Sequence, residues 1–414
     1  MSRRLVRIVY FAEIFPSKSE TWVHHEIMAL QGLGCTVQVF ATHPKPRSVP
    51  AQLAHFVDIT TYLPELQWEW RHSLRAMIDR HVLVPVLSGL STDCRGFRRK
   101  AQVLRDLIYA ARFAPSMLRF RPNLLVAHFA GTRTNLALFL SLYSRIPFVF
   151  KMHASDVFNR VALFRLKTTK AARIFTISDY NIKFISSRYP DIDTARFERH
   201  ACGIPLSEYP FQPVRLKSGM PTILAVGRLV RMKGFDVLLR ASSIMVKQGL
   251  THRVVILGDG PERDRLEELV WKLGLGEVVE LRGYASPSEV RRIVQSAAMF
   301  VLPAVWDRSA GTMDGVPVAL MEAMAMGVQV ISTTTSGIPE LITDGVSGLL
   351  ASPNDPEDLA RKIMHGLNMS MAERQIMLQS ARRKIEEEHD VHTLTWSLLR
   401  LLETEVQEYA IAVS

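Results

Sequence analysis

At 414 residues the chain is too long for one compact domain and suits two of ordinary size. A hydrophobic content of 48% excludes a disordered chain, and three scattered cysteines (Cys35, Cys94, Cys202) exclude a disulfide framework and suit a reducing compartment. The net charge of +11 is uneven: residues 1–210 carry 29 Lys and Arg against 15 Asp and Glu (+14), and residues 211–414 carry 22 against 25 (−3). Unless that charge serves solubility alone, the first half faces a phosphate-bearing ligand, an anionic membrane or nucleic acid, and nucleic acid rests on charge only.

The opening, MSRRLVRIVYFAEIFP, puts basic residues before an apolar run. Arg7 and Glu13 break that run and no small-residue cleavage site follows, so it reads as a first β-strand rather than a signal peptide. LVRIVYFA and CTVQVFAT flank a helical SETWVHHEIMALQGLG that stops at Gly34. Ser17 and Glu20 have capping-box spacing. The same loop (Ser17, Lys18, Ser19, Glu20) is equally a candidate for holding a phosphate-bearing ligand or its reaction partner.

Residues 64–121 read as helical and basic, with Trp68, Trp70, Arg95, Arg98, Arg99 and Lys100. A solvated charged surface and a surface for an anionic lipid fit them about equally. LLVAHFA, PFVFKMHA and ARIFTIS are further strands, and LALFLSLYSRIPFVF, cut by Arg145 and Pro147, falls short of the roughly 20 apolar residues of a membrane span. Residues 203–221, GIPLSEYPFQPVRLKSGMP, read as a linker. After them TILAVGR, HRVVILGDG, VVELRGY, MFVLPAV, VQVIST and SGLLAS alternate with helices, and a terminal helix runs from Val391 to about Ala412.

Two successive βα series predict an α/β chain of two doubly wound parallel-sheet domains facing a central cleft. The boundaries are 1–205 and 206–390, with 391–414 a terminal helix returning toward the first domain. Ligands in such sheets bind beyond the carboxyl ends of the strands.

Three motifs in the second half lie at such ends. In AVGRLVRMKGFDVLLRA a strand ends at Gly227, and Arg228 and Lys233 precede a helix near Gly234; two cations beside a glycine turn suit a diphosphate. In VVILGDGPERDRL, Gly258 and Gly260 resemble the start of a dinucleotide fingerprint, but Arg263 occupies the third glycine position. A tight packing turn is the better reading, and a nucleotide-dependent oxidoreductase is disfavoured. In VVELRGY, backbone groups at Arg282, Gly283 and Tyr284 are placed to read a base edge.

The third motif is DGVPVALMEAMAMG, residues 314–327. Pro317 suits the first position of a helix and Gly327 its stop, and amides at Val316 and Val318 face any anion beyond that end. Glu322 is a lone acid on an apolar helix and needs a partner. Were the whole segment helical, Asp314 and Glu322 would lie roughly 12 Å apart. That exceeds the roughly 5–9.5 Å of a hydrolase carboxylate pair and approaches the length of a nucleotide-diphosphate sugar. The structural alternatives are Asp314 as a helix cap and Glu322 paired with a neighbouring base.

Together VGRLVRMKGFDVLLRA, ILGDGP, DGVPVALMEAMAMGVQVISTTTSGIPELI and DGVSGLL resemble the C-terminal domain of retaining GT-B glycosyltransferases with a Glu-x7-Glu signature (family 4, glycosyl transferases group 1). FPSKSETWVHHEIMALQGLG and PFVFKMHASDVF extend the resemblance into the first half, toward the branch that builds exopolysaccharides of the colanic-acid type. It spans residue 8 to about 365.

The resemblance implies that Arg228 and Lys233 hold the donor diphosphate and stabilise it as leaving group in place of a metal ion. It implies that Glu322 binds the ribose, and that His153 in KMHASDVF faces the donor sugar; a lone histidine at a strand end is otherwise more often structural. Asp314 stands where the family has its first glutamate, one methylene shorter, which weakens the case for sugar contact. DID at 191–193 resembles a metal-binding DxD but lies in the wrong half, so neither metal nor cofactor is expected beyond the nucleotide-sugar co-substrate.

The implied reaction is retaining sugar transfer by front-side displacement to a hydroxyl acceptor, a lipid-diphosphate-linked glycan at the cytoplasmic membrane face. A non-catalytic nucleotide-sugar-binding protein on the same fold is the alternative.

Overall fold

A computed structural model describes residues 6–17, 20–94, 96–213 and 219–413. The chain forms two compact units: Met1–Ile177, Ile182–His200 and His392–Ser414 in the first, Ser178–Asn181 and Ala201–Val391 in the second.

The first unit is built on a parallel sheet of β1 (Arg7–Ala12), β2 (Thr36–Ala41), β3 (Thr60–Tyr62), β4 (Leu124–His128), β5 (Phe148–Met152), β6 (Arg173–Thr176) and β7 (Phe197–Arg199). Its order is β3-β2-β1-β4-β5-β6-β7. All residues of β4 and β5 are buried, as expected where helices cover both faces of a parallel sheet. One face of this core gathers Ile8, Tyr10, Val37, Val39 and Val126 with Ile27 and Leu30 of the helix Thr21–Gly32. Leu398, Leu399 and Leu402 of the terminal helix Val391–Val413 join the same core, and Glu405 is paired with Arg173 at 2.6 Å.

The second unit carries β8 (Thr222–Val226), β9 (Arg253–Leu257), β10 (Val279–Gly283), β11 (Met299–Val301), β12 (Val330–Thr333) and β13 (Leu349–Ala351), ordered β10-β9-β8-β11-β12-β13 and all parallel. Strand order reverses between β1 and β4 in one unit and between β8 and β11 in the other. At such switch points neighbouring connections leave in opposite directions and open a crevice for ligand.

Eleven of these strands fall within the apolar runs of the sequence; β3 and β7, three residues each, do not. Thr-Thr-Tyr and Phe-Glu-Arg are largely polar, unlike the equally short Met-Phe-Val of β11 and Leu-Leu-Ala of β13, so no apolar run marks them. Two expectations are corrected. Residues 203–213 are no free linker: Ile204 and Tyr209 are buried, the Gln212 N–H bonds to the Met326 carbonyl at 3.1 Å, and Phe211 and Pro213 lie against Gly327. Pro317 is the residue before the helix Val318–Ala325, not its first, and residues 314–317 are non-helical, so the helical spacing of Asp314 and Glu322 does not apply.

Candidate active site

Three loops meet at the β8–β11 switch point of the second unit. After β8 the chain turns through Gly227 and Arg228 to the short turn Arg231–Lys233. Gly234 then has φ +68°, and a Cβ there would lie 1.9 Å from the Pro303 carbonyl oxygen beyond β11. Only glycine allows that approach, and it brings Lys233 beside the segment that carries Asp314.

Lys233 Nζ lies 2.7 Å from Asp314 Oδ2, both side chains largely buried. The contact is an ion pair without hydrogen-bond alignment, since no described donor satisfies Asp314 Oδ2. Asp314 does not cap the helix, which has no side-chain cap; Lys233 is its partner. The Arg228 guanidinium is exposed and has no partner among the described residues. The amides of Val316 and Val318 are likewise unbonded among the described residues, as expected at a helix start.

Gly258 has φ +141°, and a Cβ on it would lie 1.9 Å from the Gly227 carbonyl oxygen; one on Gly260 would lie 2.5 Å from that of Leu229. These glycines pack the β9 turn against the Arg228 loop, which makes them loop-shaping residues rather than a dinucleotide fingerprint. The Gly283 carbonyl accepts from Gly258 N–H at 2.7 Å, Arg282 is tied to Glu280 at 2.7 Å, and Tyr284 is exposed.

Glu322 is answered by a residue that sequence reasoning missed. The Tyr209 hydroxyl donates to its Oε1 at 3.0 Å, and burial pushes the Glu322 carboxyl up to about 7. Burial and the same glutamate push the Tyr209 phenol up. Arg382 fixes the tyrosine by bonding the carbonyls of Tyr209 (2.8 Å) and Ala325 (2.9 Å). Arg291 lies over the Tyr209 ring at 5.7 Å and pairs with Glu208 at 3.1 Å. The only signal for Tyr209 was an aromatic in a Pro-rich stretch, which composition assigns to a linker.

In the first unit His153, just beyond β5, is buried among polar groups that sequence reasoning also missed. Its Nε2 is 3.1 Å from His128 Nδ1; His128 Nε2 is 2.9 Å from Glu26 Oε1, and the Tyr10 hydroxyl donates to that oxygen at 2.8 Å. Lys151 Nζ lies 3.7 Å from Glu26 Oε2 and 2.9 Å from His200 Nδ1. Burial alone would raise the Glu26 carboxyl, but His128 and Lys151 hold it well below the carboxylate range. Burial, then His128 and Lys151, push the His153 imidazole well below its ordinary value.

Asp156 receives the N–H of His153 (3.0 Å) and of Ala130 (2.6 Å), binding the ends of β5 and β4 together. Lys167 donates to the carbonyls of Ala130 and Ala162 from the other side. Phe129 holds φ +67°, rare for a bulky residue, between the His153 ring at 4.5 Å and the Arg133 guanidinium at 4.8 Å.

Arg133 in turn grips Glu20 with bonds of 2.9 and 2.7 Å. The Ser17–Glu20 capping box is therefore not formed: the helix starts at Thr21, and the Glu20 carboxylate serves Arg133. Ser17 N–H points to His24 Nε2 at 3.3 Å, while Lys18, Ser19 and Arg95 lie outside the described residues. Asp191 of the DID run pairs with Arg165 at 2.6 Å, and no His, Cys, Asp and Glu group among the described residues has the geometry of a metal site.

Residues 210–384, most of the second unit, match the family described as Glycosyl transferases group 1. The chain carries a glycosyl transferases group 1 domain. With that domain it is an enzyme of the glycosyltransferase class.

The putative colanic acid biosynthesis glycosyltransferase WcaL of Escherichia coli is 28% identical, covering 96% of this chain and 100% of that protein. The amylovoran biosynthesis glycosyltransferase AmsK of Erwinia amylovora is 27% identical over 96% of this chain and 99% of that protein. Among solved structures, Anabaena HepE in complex with UDP and glucose aligns with a TM-score of 0.70 at 15% identity, over 96% of this chain and 100% of that one. Sucrose-phosphate synthase of Thermosynechococcus elongatus aligns with a TM-score of 0.71 at 17% identity, over 99% and 100%. At these identities the likeness is one of fold, and the glycosyltransferase has the GT-B fold of two parallel-sheet α/β domains.

Proposed function

We propose that this glycosyltransferase moves a sugar from a nucleotide-diphosphate sugar to a hydroxyl of a growing exopolysaccharide, with retention at the anomeric carbon. One observation carries the reading: at the β8–β11 switch point Arg228, without a partner among the described residues, stands beside Lys233, whose ion pair with Asp314 a diphosphate can replace. The unbonded amides of Val316 and Val318 add donors on the same side of the sheet. Glu322 then meets the ribose hydroxyls while keeping Tyr209. The names of WcaL and AmsK support an exopolysaccharide, and HepE, solved with UDP and glucose, supports a nucleotide-sugar donor.

In the proposed step the bond from the anomeric carbon to the diphosphate oxygen breaks as the acceptor oxygen bonds to that carbon. The acceptor's proton passes to the departing phosphate. Arg228, Lys233 and the helix amides stabilise the charge that develops there, an electrostatic contribution in place of a metal. Activity is accordingly expected to persist in a chelator. His153, assigned to the donor sugar by the resemblance, brings a neutral imidazole.

For the acceptor we propose a lipid-diphosphate-linked glycan taken at the inner membrane face, with anionic lipid contacted by residues 64–121. Trp68 and Trp70 are exposed there, with Arg112 and Arg71 over their rings at 5.5 and 5.3 Å, and Leu74, Ile78, Val84, Leu87 and Phe97 are exposed elsewhere in the same segment. No helix among the described residues is long and apolar enough to cross a membrane. Flotation with anionic liposomes tests this contact: salt-sensitive binding is expected, and its absence overturns it.

A thermal-shift panel of UDP-, GDP- and ADP-sugars tests the donor reading. One class is expected to raise Tm by several degrees, and Arg228→Ala and Lys233→Ala should abolish the shift. No shift with any nucleotide sugar would overturn it.

A further inference from the structure

The buried chain Glu26–His128–His153 constrains where its protons lie. The Glu26 Oε1 atom accepts from the Tyr10 hydroxyl and faces His128 Nε2, and Lys151 approaches its other oxygen. A carboxylate offers only acceptors, so His128 Nε2 must carry a proton and donate. When His128 is neutral its Nδ1 is then a lone pair. His153 Nε2, 3.1 Å away, must supply the proton of that bond, which leaves His153 Nδ1 unprotonated. Nδ1 is bonded to no described residue and is the atom left to face a ligand.

We propose that Glu26 and His128 are positioning residues that fix the tautomer of His153, so that it presents Nδ1 to its ligand as a hydrogen-bond acceptor. On the reading that His153 meets the donor sugar, the partner is a sugar hydroxyl. A second proton on His128 reverses the set: His128 Nδ1–H donates to His153 Nε2, and the His153 proton moves to Nδ1, turning the acceptor into a donor.

The groups that weigh on this switch come from every element packed around it. They are Glu26 of the helix Thr21–Gly32, Tyr10 of β1, Lys151 of β5, His200 beyond β7, Arg133 of the helix Thr132–Ser144 and Asp156 after β5. Lys151 has a second anchor, because His200 passes its own proton to the Leu394 carbonyl at 3.1 Å and presents Nδ1 to the ammonium. The ring of His153 is also held mechanically, by Phe129 at 4.5 Å and Trp22 at 5.7 Å. Its position is therefore kept when only the proton pattern changes.

The test is nitrogen NMR of the full chain labelled at histidine, combined with donor kinetics. Wild type should show His153 protonated at Nε2 near pH 8. In Glu26→Gln the amide can donate to His128 Nε2, so His128 Nδ1–H points at His153 and the His153 proton should appear on Nδ1. The same variant should lower kcat on the order of 10-fold, with little change in KM, matching the loss of one hydrogen bond at the sugar. It should add nothing further in a His153→Ala background.

An Nδ1-protonated His153 in wild type overturns the proposal even if Glu26→Gln does not fold. So does an unchanged His153 tautomer in a folded Glu26→Gln. If the tautomer inverts but His153→Ala transfers sugar at full rate, the positioning inference stands and the donor-facing role of His153 falls.

Discussion

Glu26 and Glu322 are each a lone acid on a largely apolar helix, and their surroundings treat them in opposite ways. Glu26 has an imidazole, a phenol and an ammonium within reach, and His128 and Lys151 keep it ionised against the cost of burial. Glu322 has one phenol, and burial wins, leaving its carboxyl at about 7. A saturated carboxylate is part of a fixed scaffold, whereas a half-satisfied one gains by meeting a further donor such as a ligand hydroxyl. Asp156 lies between the two: two amides hold it in place, yet burial still pushes its carboxyl up to about 7, while Asp314 has an ion pair alone among the described residues.

Four experiments sharpen or break this division between scaffold and ligand-ready groups. The largest effect is expected at Arg228 and Lys233: alanine at either should lower transfer by about 100- to 1,000-fold, with Tm nearly unchanged for exposed Arg228 and lowered for Lys233, whose loss strands Asp314. Near-normal turnover in either variant would place the leaving-group site elsewhere. Next comes Glu26→Ala, which strands buried His128 and Lys151 and should cost about 3 kcal/mol in chemical denaturation. A cost below about 1 kcal/mol would show that the network is not a scaffold.

The third concerns pH. Glu322 holds its proton up to about 7 when folded and up to about 4.5 when unfolded, so its contribution to stability declines as pH rises between those values. Glu26 works in reverse: its folded value lies below the unfolded one, so its contribution is present above about 4.5 and lost as pH falls. Ribose binding that needs the Glu322 carboxylate should strengthen as pH rises through about 7, and Glu322→Gln should flatten both Glu322 slopes. A nucleotide affinity independent of pH in wild type would remove Glu322 from the ribose.

The smallest effect is expected at Tyr209: Tyr209→Phe should cost about 1 kcal/mol and move the midpoint of nucleotide binding to higher pH.

Much of this was legible because it is periodic or adjacent in sequence. Apolar runs gave eleven strands, and VGRLVRMKG with DGVPVALMEAMAMG gave the residues around one switch point. The partners were not legible. Tyr209 reaches Glu322 across 113 positions and Glu26 reaches His128 across 102, pairings created by topology rather than spacing. Glu26 in TWVHHEIMAL, as much a lone acid on an apolar helix as Glu322, needs a partner for the same reason. The helix boundary at Val318 escaped because Pro317 suits both the position before a helix and its first turn.

The most direct test of the account follows one reaction by proton NMR, with the nucleotide sugar selected by the thermal-shift panel and a glycan acceptor. Wild type is predicted to release nucleoside diphosphate and form a glycoside with the donor's anomeric configuration, and Lys233→Ala to form almost none. An inverted product, or undiminished transfer by Lys233→Ala, would contradict it.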